Sequence, residues 1–204
     1  MRNFDEIDRL ILDISRQLFF DQGIRKTEMK DIAVKCGIGR STLYRRFESK
    51  DVIAFHIASE ILASLAAITN DTLKDTGKAS ALEKFEKFAH AYAYSLISHP
   101  SEIRFLDEFD QIFTDEYPEE VGDVSFAAFH GGKNRSLIDL MEEGKKDGSM
   151  YFSETPDYMA WLFTNMIMGI AERVLPREKH YIEEQGYGKE FVSSAVEIFI
   201  NSIR

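Results

Sequence analysis

Residues 27–50 read TEMKDIAVKCGIGRSTLYRRFESK. Met29, Ile32, Ala33 and Cys36 recur at i, i+3, i+4 and i+7, the spacing of a one-faced helix. With Thr27 as N-cap and Gly37 as a left-handed stop, the pattern predicts a short helix from about Glu28 to Cys36. Ile38 then fills a corner, and Arg40 to Arg46 make about two further turns with Leu43 and Phe47 pointing inward. Arg40, Ser41, Thr42, Tyr44 and Arg45 stay on or near the free face. Two helices joined by a short glycine-containing turn form a helix-turn-helix, whose second helix lies in the major groove of DNA.

The residue types suit that task. Arg pairs bidentately with guanine, Thr offers a base its hydroxyl or thymine its methyl group, and Tyr reaches a phosphate while its ring packs on the helix. Over residues 26–50, seven basic side chains (Lys26, Lys30, Lys35, Arg40, Arg45, Arg46, Lys50) face Glu28, Asp31 and Glu48, a local balance of +4 in a chain that carries −10. One basic surface on an acidic protein is a surface for phosphate.

The stretch closely resembles the N-terminal domain of TetR-family transcriptional regulators. The matching residues are Thr27, Ile32-Ala33, Gly37-Ile38-Gly39, Thr42-Leu43-Tyr44-Arg45-Arg46-Phe47 and Ser49-Lys50, in the family's order. Gly39 stands where the family has Ser, which weakens a helix cap, and Arg46 stands where it has His, which adds a charge beside the DNA surface. The resemblance implies a homodimeric regulator, most often a repressor, whose operator affinity falls when a small molecule occupies the C-terminal domain. In it the fourth helix joins head to body. The residues assigned to DNA are Lys26, Thr27, Arg40, Ser41, Thr42, Tyr44, Arg45, Arg46 and Lys50. Lys26, Thr27, Tyr44 and Lys50 would hold phosphates while Arg40, Ser41 and Thr42 face bases, Lys26 and Thr27 lying at the positive start of the second helix.

At 204 residues, with 44% hydrophobic and 12% aromatic side chains, the chain has material for a real core. Stretches of 3.6-residue period and only four prolines predict an all-α protein of about nine helices. Its parts are a three-helix head over 1–50, a connecting fourth helix over 49–73, and a regulatory, dimerising domain over 51–204. The single Cys36 excludes an internal disulfide and reads as a small buried hydrophobe, with a redox sensor as the sharper rival. The charged start, MRNFDEIDRL, lacks a secretion signal, and residues 52–69, with Glu60 as their one formal charge, read as a buried helix and not a membrane span. A cytoplasmic protein is expected, with no cofactor and no metal cluster.

In order, Phe4, Ile7, Ile11, Ile14 and Leu18 give a first helix from about 4 to 22, ending at Gly23. Ser49 caps the fourth helix. The polar run KDTGKAS (74–80) is a loop, and a helix from Ala81 to Ser98 follows, stopped by Pro100. Ser101 caps another to about Phe113. Residues 114–123 are acidic and read as a solvated turn. A helical region from Val124 to Lys146 bends at Gly131-Gly132, and helices over 156–174 and 189–203 flank a loop holding Pro176, Gly186 and Gly188.

The middle helices are rich in aromatics and methionine, which are first of all core. As a group they also suit an apolar cavity for a flat or lipophilic effector, with Phe88, Tyr92, Phe105, Phe109, Phe129, His130, Met141, Trp161 and Asn165 as candidate lining. The last two helices carry more apolar surface than peripheral helices need. Met166, Gly169, Ile170, Ala195, Ile198 and Phe199 are the candidate dimer contacts, closing a monomer core being the alternative. Two rival classes stand beside the regulator. One is a helical protein-interaction module without DNA recognition. The other is an α-helical enzyme, for which the sequence offers no nucleophile motif, phosphate-cradling loop or metal-ligand spacing.

Overall fold

The computed structural model describes residues 4–73, 77–121 and 135–204, whose regular elements are all helices, with no strand among them. The helices are α1 (Glu6–Gln22), α2 (Met29–Cys36), α3 (Arg40–Arg46), α4 (Lys50–Leu73), α5 (Ala81–Ser98), α6 (Pro100–Ile112), α7 (Arg135–Asp147), α8 (Pro156–Val174), α9 (Glu178–Gln185) and α10 (Glu190–Ile203). Of the described residues, 4–61 and 104–121 form one body, and 62–73, 77–103 and 135–204 a second.

In the first body, Asp5 caps α1 by accepting the N–H groups of Ile7 and Asp8, both at 2.9 Å. The buried face of α1 is Ile11, Leu12, Ser15, Leu18 and Phe19, so Ile7, expected inward, is partly open to solvent. Ile24, Ile32, Ala33, Leu43 and Phe47 complete the core of the head. Gly37, at φ 68 and ψ 27, ends α2, and the Ile38 N–H reaches back to the Ala33 carbonyl at 3.1 Å. That left-handed stop turns the chain from α2 into α3. Ser49 caps α4 through the Val52 N–H at 3.2 Å. From Lys50 to Ile68, α4 is long and apolar enough to cross a membrane by length and composition alone. Val52, Ile53, Ala54, Phe55, Ile57, Ala58 and Ile61 are nevertheless buried, as in a core helix.

The second body packs α5 against α7 and α10, and α8 against α5, α7 and α10. Its centre is aromatic: Phe163 meets Phe85 at 5.0 Å, Phe199 at 5.1 Å and Phe88 at 5.9 Å between ring centroids. Ser80 caps α5, and the unpaired N–H groups of its first turn find Asp147 Oδ2 (from Ala81, 2.9 Å) and Ser149 Oγ (from Leu82, 3.1 Å).

Two expectations about elements are corrected. Pro100 opens α6 as its first residue, because a proline lacks only an N–H that the first turn leaves unpaired anyway. The loop expected between the last two helices contains α9, which ends at Gly186. The bend expected at Gly131-Gly132 and the helix start near Val124 lie outside the described residues.

Candidate nucleic-acid interface

The helix-turn-helix is built from α2, the Gly37–Gly39 turn and α3. Leu43 and Phe47 anchor α3 to the core, which leaves Arg40, Ser41, Tyr44 and Arg45 exposed, Tyr44 by 50%, with Thr42 half-buried. Ser41, Tyr44 and Arg45 are at i, i+3 and i+4, so they share one face, and Arg40 lies one turn before Tyr44. Gly39 caps α3 without a side-chain bond.

Beside this face lies an open depression of about 510 Å³ lined by Thr27, Glu28, Met29, Lys30, Arg40, Tyr44, Glu48, Ser49 and Lys50. Its lining sets the cations of Lys30 and Arg40 and the hydroxyl groups of Tyr44 and Ser49 beside the carboxylates of Glu28 and Glu48. Lys26 is exposed at the corner leading into α2. Lys30 pairs with Glu28 at 2.8 Å, which holds its ammonium above the ordinary lysine range.

Three residues expected to touch DNA are engaged inside the protein. Thr27 is fully buried; its hydroxyl donates to the Gly23 carbonyl at 2.8 Å and accepts from Gln22 Nε2 at 3.1 Å. It therefore shapes the α1–α2 corner, and Glu28 takes the N-cap position expected of it. Lys50 Nζ donates to the carbonyls of Ile24 (2.8 Å), Thr27 (3.0 Å) and Arg25 (3.1 Å). An ammonium has three donors, so these acceptors fill it. Arg46 Nη1 donates to both carboxylate oxygens of Asp5, at 2.7 and 2.8 Å, and to Asp8 Oδ1 at 2.9 Å. The charge expected beside DNA is neutralised against α1 instead.

Cys36 is half-buried on α2, and burial pushes its thiol up, which keeps it protonated and unreactive near neutrality. Among the described residues, no group of His, Cys, Asp and Glu side chains is placed to hold a metal.

The candidate effector residues fall in both bodies. Phe105 and Phe109 belong to the first, where Phe105 stacks on Phe19 at 6.0 Å and Phe109 lies 6.5 Å from Phe55. Phe55 and Phe109 also meet Tyr117, a residue that local spacing does not single out. Its hydroxyl is pushed up to about 12 by burial and then by the Asp110 carboxylate. In the second body Phe88, Tyr92 and Met141 are buried, Trp161 is half-buried, and Asn165 is exposed with its amide on the Trp161 carbonyl at 2.8 Å. Burial raises the Tyr92 hydroxyl well above the ordinary tyrosine value, with the Glu172 charge adding to it. Phe129 and His130 lie outside the described residues.

Of the candidate dimer contacts, Ile198 is 68% exposed, Gly169 is exposed, and Met166 and Ile170 are half-buried. Ala195 and Phe199 are buried in the body's own core, a correction explained by the Phe199 ring lying against Phe85 and Phe163. Leu162, on α8 with Met166, Gly169 and Ile170, is 39% exposed as well.

Comparison with known proteins bears on the whole arrangement. Residues 11–57 match the model of bacterial regulatory proteins of the tetR family. The chain is 27% identical over 148 residues to the HTH-type transcriptional repressor KstR2 of Mycolicibacterium smegmatis; the match takes in 68% of this chain and spans 65% of that relative's length. In fold it is similar to a tetR-family bacterial regulatory protein from Rhodococcus RHA1 (TM-score 0.72, 15% identity, 97% of each chain). It is likewise similar to the transcriptional regulator FadR from Bacillus subtilis in complex with stearoyl-CoA (TM-score 0.67, 17% identity, 96% of this chain and 99% of that one). The head, residues 11–57, thus matches the tetR-family model, and the fold of such regulators extends over nearly the whole chain.

Proposed function

We propose that this protein is a sequence-specific DNA-binding transcriptional regulator acting in the cytoplasm as a homodimer, and that it represses until a small-molecule effector releases it. The outward face of α3, with Arg40, Ser41, Tyr44 and Arg45 exposed while Leu43 and Phe47 fix the helix from behind, carries the reading. Arg40, Ser41 and Thr42 face base edges. Tyr44, Arg45 and Lys26 take the phosphates on either side, and Thr27, Lys50 and Arg46 hold the frame on which those residues stand. Residues 1–50 make the DNA contacts and 51–204 serve regulation and dimerisation.

One α3 reads only a few base pairs, so a two-fold pair of heads on successive major grooves supplies the length of site that selectivity requires. Ile198, Gly169 and Leu162, open on α10 and α8, are the surface through which two copies meet. The effector is largely apolar, in keeping with the buried aromatic and methionine side chains, and FadR, similar in fold, is described with bound stearoyl-CoA. The effector acts through its preference for the conformer in which the two α3 helices no longer match the grooves.

The test is fluorescence anisotropy of the purified protein with duplex from immediately upstream of its own gene and with random duplex, at two salt concentrations. Preference for the upstream duplex that persists at high salt is the expected result. Equal, weak and steeply salt-dependent binding to both duplexes overturns specific recognition and favours a protein-interaction module.

A further inference from the structure

The corner between α1 and α2 is gripped from two sides within the first body. Glu108 of α6 accepts the N–H of Ile24 on Oε2 at 2.8 Å and the N–H of Arg25 on Oε1 at 3.0 Å. On the other side, the Lys50 ammonium holds the carbonyls of Ile24, Arg25 and Thr27. Gly23 makes the approach possible. It sits at φ 91, and a Cβ there would come within 2.8 Å of Glu108 Oε2. Phe105, three residues before Glu108, lies on Phe19 and Phe20 at 6.0 and 5.9 Å, so the carboxylate is presented by a helix already seated on the end of α1.

We infer that Glu108 is a positioning residue for DNA binding: by fixing the peptides of Ile24 and Arg25 it sets the direction in which the adjacent Lys26 and the start of α2 meet a DNA phosphate. The inference rests on the DNA-binding reading above. Its physical basis is that charge-assisted bonds to a carboxylate are short and directional, and two from consecutive peptides define the orientation of both planes. Without the carboxylate the two N–H groups turn to water and only the Lys50 side of the grip remains, so the backbone that carries Lys26 is less tightly oriented. The sequence conceals this role, because Glu108 stands 83 and 84 residues from its partners and outside the helix-turn-helix.

The test uses the full-length protein as wild type, Glu108→Ala, Glu108→Gln, Lys26→Ala and the double variant Glu108→Ala/Lys26→Ala. Hydrogen exchange on the free protein is expected to accelerate at Ile24 and Arg25 in Glu108→Ala while α8 amides are unchanged. On random duplex, the slope of log affinity against log salt is expected to fall by about one in Glu108→Ala, the value of one lost phosphate contact. Lys26→Ala gives the same fall, and the double variant loses nothing more. Glu108→Gln, isosteric and still able to accept one bond, falls between, and it carries the test if the alanine variant does not fold. A merely structural role would lower the melting temperature and leave the salt slope at the wild-type value, and that result overturns the inference, as does additivity in the double variant. Wild-type binding that is equal on upstream and random duplex removes operator recognition but leaves the slope comparison to decide Glu108. Wild-type binding to neither duplex overturns both.

Discussion

The guanidinium of Arg46, the last residue of α3, donates to Oδ1 of Asp8 on α1 at 2.9 Å, and Asp8 is only 3% exposed. A buried carboxylate is costly to leave without its cation, because the charge then stays desolvated. Arg46→Ala is expected to lower the melting temperature by several degrees, and Arg46→Lys to recover only part of it, because the shorter lysine stem does not carry its ammonium to the position from which Nη1 bonds both Asp5 and Asp8. Thermal unfolding by circular dichroism checks this. An unchanged midpoint in Arg46→Ala would remove Arg46 from the frame.

The same contact has a pH signature. The hydrogen bond from Arg46 is the largest cause holding the Asp5 carboxyl below the 3.8 of an ordinary aspartate, and the Asp8 N–H adds to it. A group whose folded pKa is depressed contributes stability above its unfolded pKa and loses it as pH falls through the folded value. Wild type is therefore expected to lose melting temperature below about pH 4, near the unperturbed carboxylate value. Arg46→Ala loses less over the same interval. Parallel melting curves for the two proteins from pH 6 to pH 3 would contradict the assignment.

Arg40 opens α3, exposed and free of the internal pairing that engages Arg46. If it pairs with a guanine, Arg40→Ala costs about 1–3 kcal/mol of discrimination between operator and random duplex. Competition binding measures that difference directly, and an unchanged ratio would remove Arg40 from base readout. The fold should be indifferent to the change.

Ile198 and Phe199 are neighbours on α10 with opposite fates, one 68% exposed and the other buried against Phe85 and Phe163. Ile198→Glu is expected to weaken self-association by roughly tenfold or more while leaving the fold intact. Phe199→Ala instead destabilises the body by about 3–5 kcal/mol. Sedimentation velocity and urea unfolding separate the two outcomes. A dimer of Ile198→Glu as tight as wild type would move the interface elsewhere.

These contrasts mark what local spacing can and cannot disclose. The α2–Gly37–α3 unit was legible because its signals, an apolar period and a left-handed glycine, act within ten residues. The pairing of Arg46 was not, since Asp5 and Asp8 stand 41 and 38 residues earlier and each reads locally as a helix-capping acid. Lys50 misled for a similar reason: a lysine at the start of a helix advertises its charge, while the carbonyls that fill it belong to a turn formed by tertiary packing. The α9 stretch EKHYIEEQ has no apolar stripe and buries no residue, so periodicity had nothing to register. On α10 the stripe itself was visible, but hydrophobicity alone does not say whether Phe199 faces its own core or a second copy.

The grip of Glu108 and Lys50 on the α1–α2 corner reaches peptide atoms only, the N–H groups of residues 24 and 25 and the carbonyls of 24, 25 and 27. A hold of that kind is blind to the side chain at position 26. Mutational drift there can raise, lower or reverse the local charge without unmaking the corner, whereas at position 23 almost any replacement displaces the carboxylate. If Lys26 holds a DNA phosphate as proposed, a lineage carrying this corner can retune how tightly its regulator holds DNA by changing one exposed residue, with the recognition helix and its base preferences untouched.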